Sequence, residues 1–464
     1  MYKQGLGDCF LLTFNSKQGL RHMLIDCGVL TGTPGGGEKI RNVAANINSE
    51  IGPKLDVLVA THEHWDHISG FWDARTIFDP MKMREIWVAW TEDPNQKILK
   101  ESKKKKLKLA ALQLALAKIS DLQEEEQRRG GAIADILGFL GGLSGMGMIG
   151  FSEKTEEAMN KITGRDPTPD YLEPGQVIER DWLPGVRFYI FAPPKGEEDI
   201  DYEEKESDMY GLAGPDFAFL NALESMLSKE QDKELELVFT PFDRNLQWPD
   251  EKRLEHDWPG LYGRYNSPGE SWRRIDYDWL YSAARLALQL DDHLNNTSLV
   301  LAVELIESDQ VLLFVGDAEI GNWKSWEKVE WDVPSANGQS TKIKAADLLK
   351  RVTFYKVGHH GSHNATLREK GLELMTSSKL VAAIPVDEEF ARLPKGKNKK
   401  GWDMPAGPLK ERLLEKTKGR LIRADWQNLP DTTQKPDGIT SAQWSKFVKS
   451  LRMDPSKLFI DYFV

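Results

Sequence analysis

Only two cysteines occur in the 464 residues, Cys9 and Cys27, too few for the disulfide framework that staples small secreted domains. They flank what read as adjacent strands, so reduced, buried thiols in a cytoplasmic protein are expected. No apolar run is long and unbroken enough for a confident membrane span, and stable membrane insertion is not expected. The first 30 residues lack a basic start followed by an apolar core, and Asp8 interrupts the one candidate, which argues against a signal peptide. Excess positive charge is missing as well: 61 Lys and Arg against 72 Asp and Glu give a net charge of −11. That argues against a surface that coats nucleic acid broadly, while leaving room for a local basic groove. The length allows one large core with insertions, or two or three domains.

What is present collects at the ends of apolar runs. Residues 55–70 read LDVLVATHEHWDHISG, a mostly apolar stretch that stops abruptly in His62, His64, Asp66 and His67. Such a short run reads as a buried strand with the polar cluster at its carboxyl end. Residues two apart in extended backbone point the same way, so His62 and His64 can converge on one cation. If the chain turns into helix near Trp65, Asp66 and His67 come round to the same side and can hold a second. Neutral imidazoles with a carboxylate suit zinc or a similar first-row metal better than magnesium or calcium. Three of the nine histidines share these six positions with Asp66, a concentration that a polar surface loop would not require.

Two further runs end in the same way. Residues 298–306 and 311–315 flank the turn ESDQ, and the second run ends in Gly316-Asp317. Residues 354–357 end in Gly358-His359-His360-Gly361-Ser362-His363. Ligand sites in layered α/β proteins gather at strand carboxyl ends, so a single shared site is the economical reading. Earlier, residues 9–14 and 22–26 are joined by NSKQG as in a hairpin, and Asp26 at the second strand's end could orient a metal-bound histidine or merely cap a turn. TGTPGGGEK follows, and its spacing fits no phosphate loop, so a mobile surface loop is expected. His22, His256 and His293 fall outside the pattern and are expected to be structural.

The remaining stretches look like insertions. Residues 94–129 have no internal Pro or Gly after Pro94 and carry a leucine stripe, which predicts helix; Lys103 to Lys106 within them could meet a polyanion or form a solvated face. Residues 131–151 hold seven glycines and one charge, Asp135, and read as an apolar lid or docking segment. The expected division is 1–92 and 166–464 as two halves of one body, with 93–165 inserted and a loop-rich excursion at about 195–275.

The carrying residues resemble a known family. HEHWDH resembles the HxHxDH signature of the metallo-β-lactamase superfamily, with Asp26 before it and Asp317 and His359-His360 after it in the expected order. A finer resemblance is to the hydrolase domain of the ComEC competence protein and its stand-alone relatives. It rests on GLGDCFLL, MLIDCG, NNTSLVL, LLFVGDAEIGNW and KVGHHGSHNAT. The resemblance implies an α/β fold, an αββα sandwich with a helical insertion and the metals at one edge. By position, His62 and His64 would bind a first divalent ion and Asp66 and His67 a second. Asp317 would bridge them and His360 would complete the second site. Asp26 would act behind the ligands, Asp66 and His359 would take part in the chemistry, and Asn296, Ser362 and His363 would contact substrate. The expected cofactors are two divalent ions, zinc or alternatively manganese. A third histidine that many members give the first ion has no clear counterpart here.

The function implied is hydrolysis by metal-activated water, with a phosphodiesterase or nuclease acting on nucleic acid or another phosphodiester in first place. The rivals are hydrolysis of a lactone or amide, and a non-catalytic module that docks a protein partner or a second copy of itself.

Overall fold

The structure, a computed structural model, describes residues 1–95, 149–200, 202, 208, 255–265, 267, 294–334, 340–393 and 401–464. The chain separates into two units, one of residues 1–100, 137–213 and 291–464, the other of residues 101–136 and 214–290. In the second unit the described part contains one helix, Pro259–Tyr265. All that follows concerns the first.

Five strands form the first sheet: β1 (Phe10–Ser16), β2 (Gly19–Ile25), β3 (Lys54–Ala60), β4 (Lys82–Ala89) and β5 (Asp170–Leu172), in the order β1-β2-β3-β4-β5. The NSKQG link does make a hairpin, with β1 and β2 antiparallel, while β2, β3, β4 and β5 run parallel. The second sheet uses β6 (Val177–Glu179), β7 (Val186–Ala192), β8 (Val300–Leu305), β9 (Gln310–Phe314), β12 (Val352–Lys356), β13 (Val381–Ile384) and β14 (Leu421–Arg423). Their order is β14-β13-β12-β9-β8-β7-β6, and β9, β12, β13 and β14 are parallel. Two small ribbons, β10 (Glu330–Pro334) with β11 (Ser340–Lys344) and β15 (Leu451–Met453) with β16 (Ile460–Tyr462), complete the strands.

Alternation along the strands sorts the apolar side chains into layers. Val57, Val59 and Trp87 from the first sheet share one core with Phe188, Ile190, Leu301, Phe314 and Phe354 from the second. The intervening residues Leu58, Ala60, Ile86 and Val88 face helices α1 (Gly36–Ile51), α2 (Trp65–Asp73), α3 (Arg75–Phe78) and α4 (Ile149–Thr163). On the far side of the second sheet, Leu313, Val315 and Tyr355 pack with α5 (Ile320–Ser325), α6 (Ala345–Lys350) and α7 (Gly407–Thr417). Strands covered on both faces must be apolar throughout, which is why β3 and β9 read as short unbroken runs.

Two expectations change. The glycine-rich stretch after Cys27 is a loop only as far as Gly35, whose left-handed φ of 68° turns the chain into α1. Ile40, Val43, Ala44 and Ile47 repeat at helical spacing and bury on the first sheet, and that burial holds the glycines in place. The end of the stretch read as an insertion, 149–163, is α4, with Ala158, Met159 and Ile162 fully in the core beneath α2. Arg165 and Lys161 fasten it to Asp79. The leucine stripe, Lys103 to Lys106 and residues 131–148 lie outside the described residues, as do two further basic stretches of the sequence, Arg273-Arg274 and the lysine-rich residues 395–400. Among the described residues no helix is long and apolar enough to cross a membrane.

Candidate metal centre

Parallel strands bring their carboxyl ends to the same edge, and four of them end in ionisable groups. β2 stops at Ile25 and Asp26 follows with a left-handed φ of 55°. β3 stops at Ala60; His62 and His64 continue in extended chain, and helix α2 starts at Trp65 as expected, placing Asp66 and His67 in its first turn. An aspartate there is favoured by the helix dipole. After β9, Gly316 (φ 54°) turns Asp317 inward, and after β12 the left-handed His359 (φ 41°) and His360 (φ 50°) bend the chain back. Left-handed backbone at two successive non-glycine residues stores strain of the kind found at functional sites.

These side chains meet in a buried cluster. His62, His64, Asp66, His67, Asp317 and His360 are each no more than 1% exposed. The rings of His62 and His64 lie 4.6 Å apart and those of His62 and His67 4.2 Å apart. Ligand atoms of His62, His67 and Asp317 lie within 4.8 Å of one another, as do those of Asp66, Asp317 and His360, so Asp317 belongs to both groups. His64 stands beside His62 but enters neither group. His360 Nε2 is 2.9 Å from Asp66 Oδ2, and His67 Nε2 is 3.1 Å from Asp317 Oδ2.

The hydrogen bonds decide which ring nitrogens carry lone pairs. Asp26 accepts from Thr61 N at 2.8 Å, from Thr61 Oγ1 at 2.7 Å and from His67 Nδ1 at 2.8 Å. Since the Thr61 hydroxyl gives its proton to Asp26, it can only accept from His62 Nδ1, 3.1 Å away. One buried carboxylate thus fixes the same tautomer in two histidines and turns both Nε2 atoms toward the centre. His360 Nδ1 donates to the Pro385 carbonyl at 2.7 Å, which leaves its Nε2 facing Asp66. A lone pair against a carboxylate oxygen at 2.9 Å is repulsive, so a proton or a cation must lie between them. His62 Nε2, His67 Nε2, Asp66 Oδ1 and Asp317 Oδ2 are buried with no hydrogen-bond partner. Burying such atoms costs free energy unless something satisfies them, and divalent cations held by the two groups that share Asp317 would satisfy them. The donor set therefore fits the metals that the sequence calls for.

Electrostatics agree. Burial, with the neighbouring His67, holds the His62 imidazole well below its ordinary range. Burial likewise brings His64 down to about 4, so both are neutral and ready to coordinate near pH 7. Burial opposes ionisation of Asp317, but His67 and Lys356 outweigh it and hold its carboxyl well below the usual range. His67 is also disfavoured as a cation by burial, yet Asp317, Asp8, Asp26 and Asp66 raise it well above the ordinary histidine value.

Several participants carried no obvious signal in the sequence. Asp8 and Lys356 form an ion pair at the floor of the centre, Lys356 Nζ also donating to Gly316 O at 2.6 Å. Glu319 accepts from His359 Nδ1 at 2.9 Å and from Asn295 Nδ2 at 2.8 Å. Ser362 Oγ is 3.2 Å from His359 Nδ1 and donates to Asn364 Oδ1 at 2.7 Å. Asn296 uses both ends of its amide internally, donating to Ile200 O at 3.2 Å and accepting from Asn322 N at 2.9 Å, so its place is behind Asp317. His363 is exposed two positions after the paired histidines' loop turns outward. His256 is exposed and pairs with Asp257 in the other unit; His22 bonds Thr13; His293 lies outside the described residues.

Asp26→Asn tests the tautomer argument. An asparagine keeps the volume but supplies only one acceptor for Thr61 and His67. Zinc affinity, measured by competition with a chromophoric chelator, should fall about 10–100-fold while the fold persists.

No curated protein and no solved structure matches the chain. Residues 3–129, which contain Asp8, Asp26 and the whole HEHWDH run, match the family model of the metallo-beta-lactamase superfamily.

Proposed function

We propose that this protein is a two-metal hydrolase of phosphoric esters, a phosphodiesterase or nuclease of ComEC-like type built on an αββα sandwich. The observation that carries the reading is Asp317, which belongs to two convergent ligand groups and whose Oδ2 is buried with no hydrogen-bond partner. In this reading His62 and His64 hold one ion, Asp66, His67 and His360 the other, and Asp317 both. Bound divalent ions of the zinc or manganese kind supply Lewis acidity and lower the pKa of water, so no serine or cysteine nucleophile is needed. Asp66 Oδ1, lacking a hydrogen-bond partner, is placed to accept a proton from the attacking water. Glu319 and Ser362 hold the Nδ1 side of His359, which suits that imidazole to protonating a leaving oxygen. Ser362 and His363, on the same loop, contact the substrate, while Asn296 orders the strand ends from behind.

The substrate class is tested directly. Zinc- or manganese-loaded protein should cleave bis(p-nitrophenyl) phosphate, and His359→Ala should slow cleavage of a dinucleotide, whose alkoxide leaving group needs a proton, roughly 10²–10⁴-fold while slowing the nitrophenolate ester far less. On single-stranded DNA or RNA the rate at limiting substrate should drop as salt rises, because neutralised phosphates release counterions. Loaded protein that ignores phosphodiesters yet opens lactones or amides would replace this substrate class. Protein that hydrolyses nothing and instead holds a partner would make the centre structural.

A further inference from the structure

The third group of potential ligands, Asp8, Asp26 and His67, looks at first like one more metal site. Three of its four carboxylate oxygens are already committed, and only Asp8 Oδ1 has no hydrogen-bond partner. Asp26 gives both oxygens to Thr61 and His67, and Asp8 Oδ2 carries the ammonium of Lys356. Lys356 is 1% exposed in the middle of the apolar run that ends β12, a position where alternation alone would call for a hydrophobic residue. A lysine is almost never buried there unless anions hold it.

Its contacts show what it does. Nζ bonds Asp8 Oδ2, donates to Gly316 O at 2.6 Å, and reaches Asp317 Oδ1 at 3.3 Å. The same Oδ1 accepts from His359 N at 2.9 Å. One oxygen of Asp317 is therefore claimed from below by an ammonium and a backbone amide, while Oδ2 faces His67 with no hydrogen-bond partner. Asp8 is anchored in turn, its N–H donating to Asp66 O at 3.0 Å and its carbonyl accepting from Gly28 N at 3.0 Å. The pair ties the loop before β1 and the start of α2 to the ends of β9 and β12.

We propose that Lys356, held by Asp8, is a positioning residue: a permanent internal cation that leaves Asp317 only Oδ2 to offer metal, so that the carboxylate is shared between two ions instead of enclosing one. The inference rests on the two-metal reading above. A metal in place of Lys356 could dissociate, whereas the covalently fixed ammonium cannot.

Equilibrium dialysis of the full chain against zinc, with metal counted per folded protein, tests it. Wild type should bind two ions. Lys356→Met frees Oδ1 and should keep the first ion while weakening the second at least about tenfold. Should the bare Asp8 charge unfold that variant, Asp8→Asn combined with Lys356→Met removes that charge, still frees Oδ1 of the ammonium, and should show the same loss. A purely structural lysine would lower the melting temperature of either variant and leave both ions bound with wild-type affinity, which would overturn the proposal. Wild type that binds no ion would overturn the two-metal reading and this inference with it; wild type with two ions and an unaffected variant would overturn this inference alone.

Discussion

Asp317→Asn is expected to strip both ions from the centre and to lower turnover roughly 10²–10³-fold or more. The reason lies in how its two oxygens are used. Oδ1 accepts from His359 N and lies 3.3 Å from Lys356 Nζ, so the carbonyl of an asparagine would settle there. The amide NH2 would then occupy the place of Oδ2, presenting hydrogens where a cation must sit. Loss of the negative charge also relaxes the hold on His67, since Asp317 is the strongest of the four carboxylates that oppose the effect of burial there. Because the folded-state value of His67 is raised, its charged form stabilises the metal-free fold fully below the ordinary value of about 6.5, and that stability is lost as pH rises through the raised value. Zinc must displace this proton, so zinc affinity in wild type should climb with pH over that window, with proton release visible in calorimetry across buffers of different ionisation enthalpy. Asp317→Asn should release fewer protons as well as bind less metal. Full metal content and full turnover in this variant would remove the shared-carboxylate assignment.

Gly28→Ala is expected to destabilise the protein by roughly 4 kcal/mol or more, and to disturb the centre, although it touches no ligand side chain. A Cβ on Gly28 would stand 2.2 Å from the Asp66 carbonyl carbon and 2.4 Å from His67 N. Backbone cannot swing aside as a long side chain can, so α2 would have to move away from β2, carrying Asp66 and His67 with it. Gly37→Ala is the control: its Cβ would meet only the end of the flexible Arg41 side chain at 3.4 Å, and a change within about 1 kcal/mol is expected. Thermal or denaturant unfolding of the metal-free proteins separates the two. Equal stability of Gly28→Ala and wild type would mean that the helix start is not wedged against the strand end as described.

The contrast between these glycines shows what the sequence could and could not disclose. Strand ends with abrupt polarity change are visible in one dimension, because burial on both faces forces an unbroken apolar run and the next residue reveals what the edge is for. The placement of Asp26, His62, His67, Asp317 and His360 at one edge followed from that. Residues that act from underneath leave weaker traces. Asp8 sits in an unremarked loop, and Thr61 is one more small polar residue until its hydroxyl proton is traced to Asp26. Lys356 could have been noticed, since a lysine between Tyr355 and Val357 breaks an otherwise buried strand. Helix α1 was hidden by its glycine-rich entry, even though Ile40, Val43, Ala44 and Ile47 carry the helical period plainly. Asn296 reads as a substrate contact in sequence through the family resemblance, and only the paired contacts with Ile200 and Asn322 show an amide used for bracing.

His360 faces Asp66 across 294 positions of chain, and that separation orders events during synthesis. At ~5–20 residues per second, roughly 15–60 s pass between the two residues leaving the ribosome. For most of that interval Asp8 has no Lys356 and Asp66 no His360 to offset its charge, and the core between the sheets lacks Phe314 and Phe354, which pack with Val57, Val59 and Trp87. Non-local closure of this kind is slow because the entropy of the intervening chain is lost before the contacts form. If the centre holds two ions as proposed, their uptake would be a terminal event of biogenesis. A nascent or truncated chain ending before β12 displays the HEHWDH run without the partners that turn it into a binding site, and so depends on protection from aggregation until the second sheet arrives.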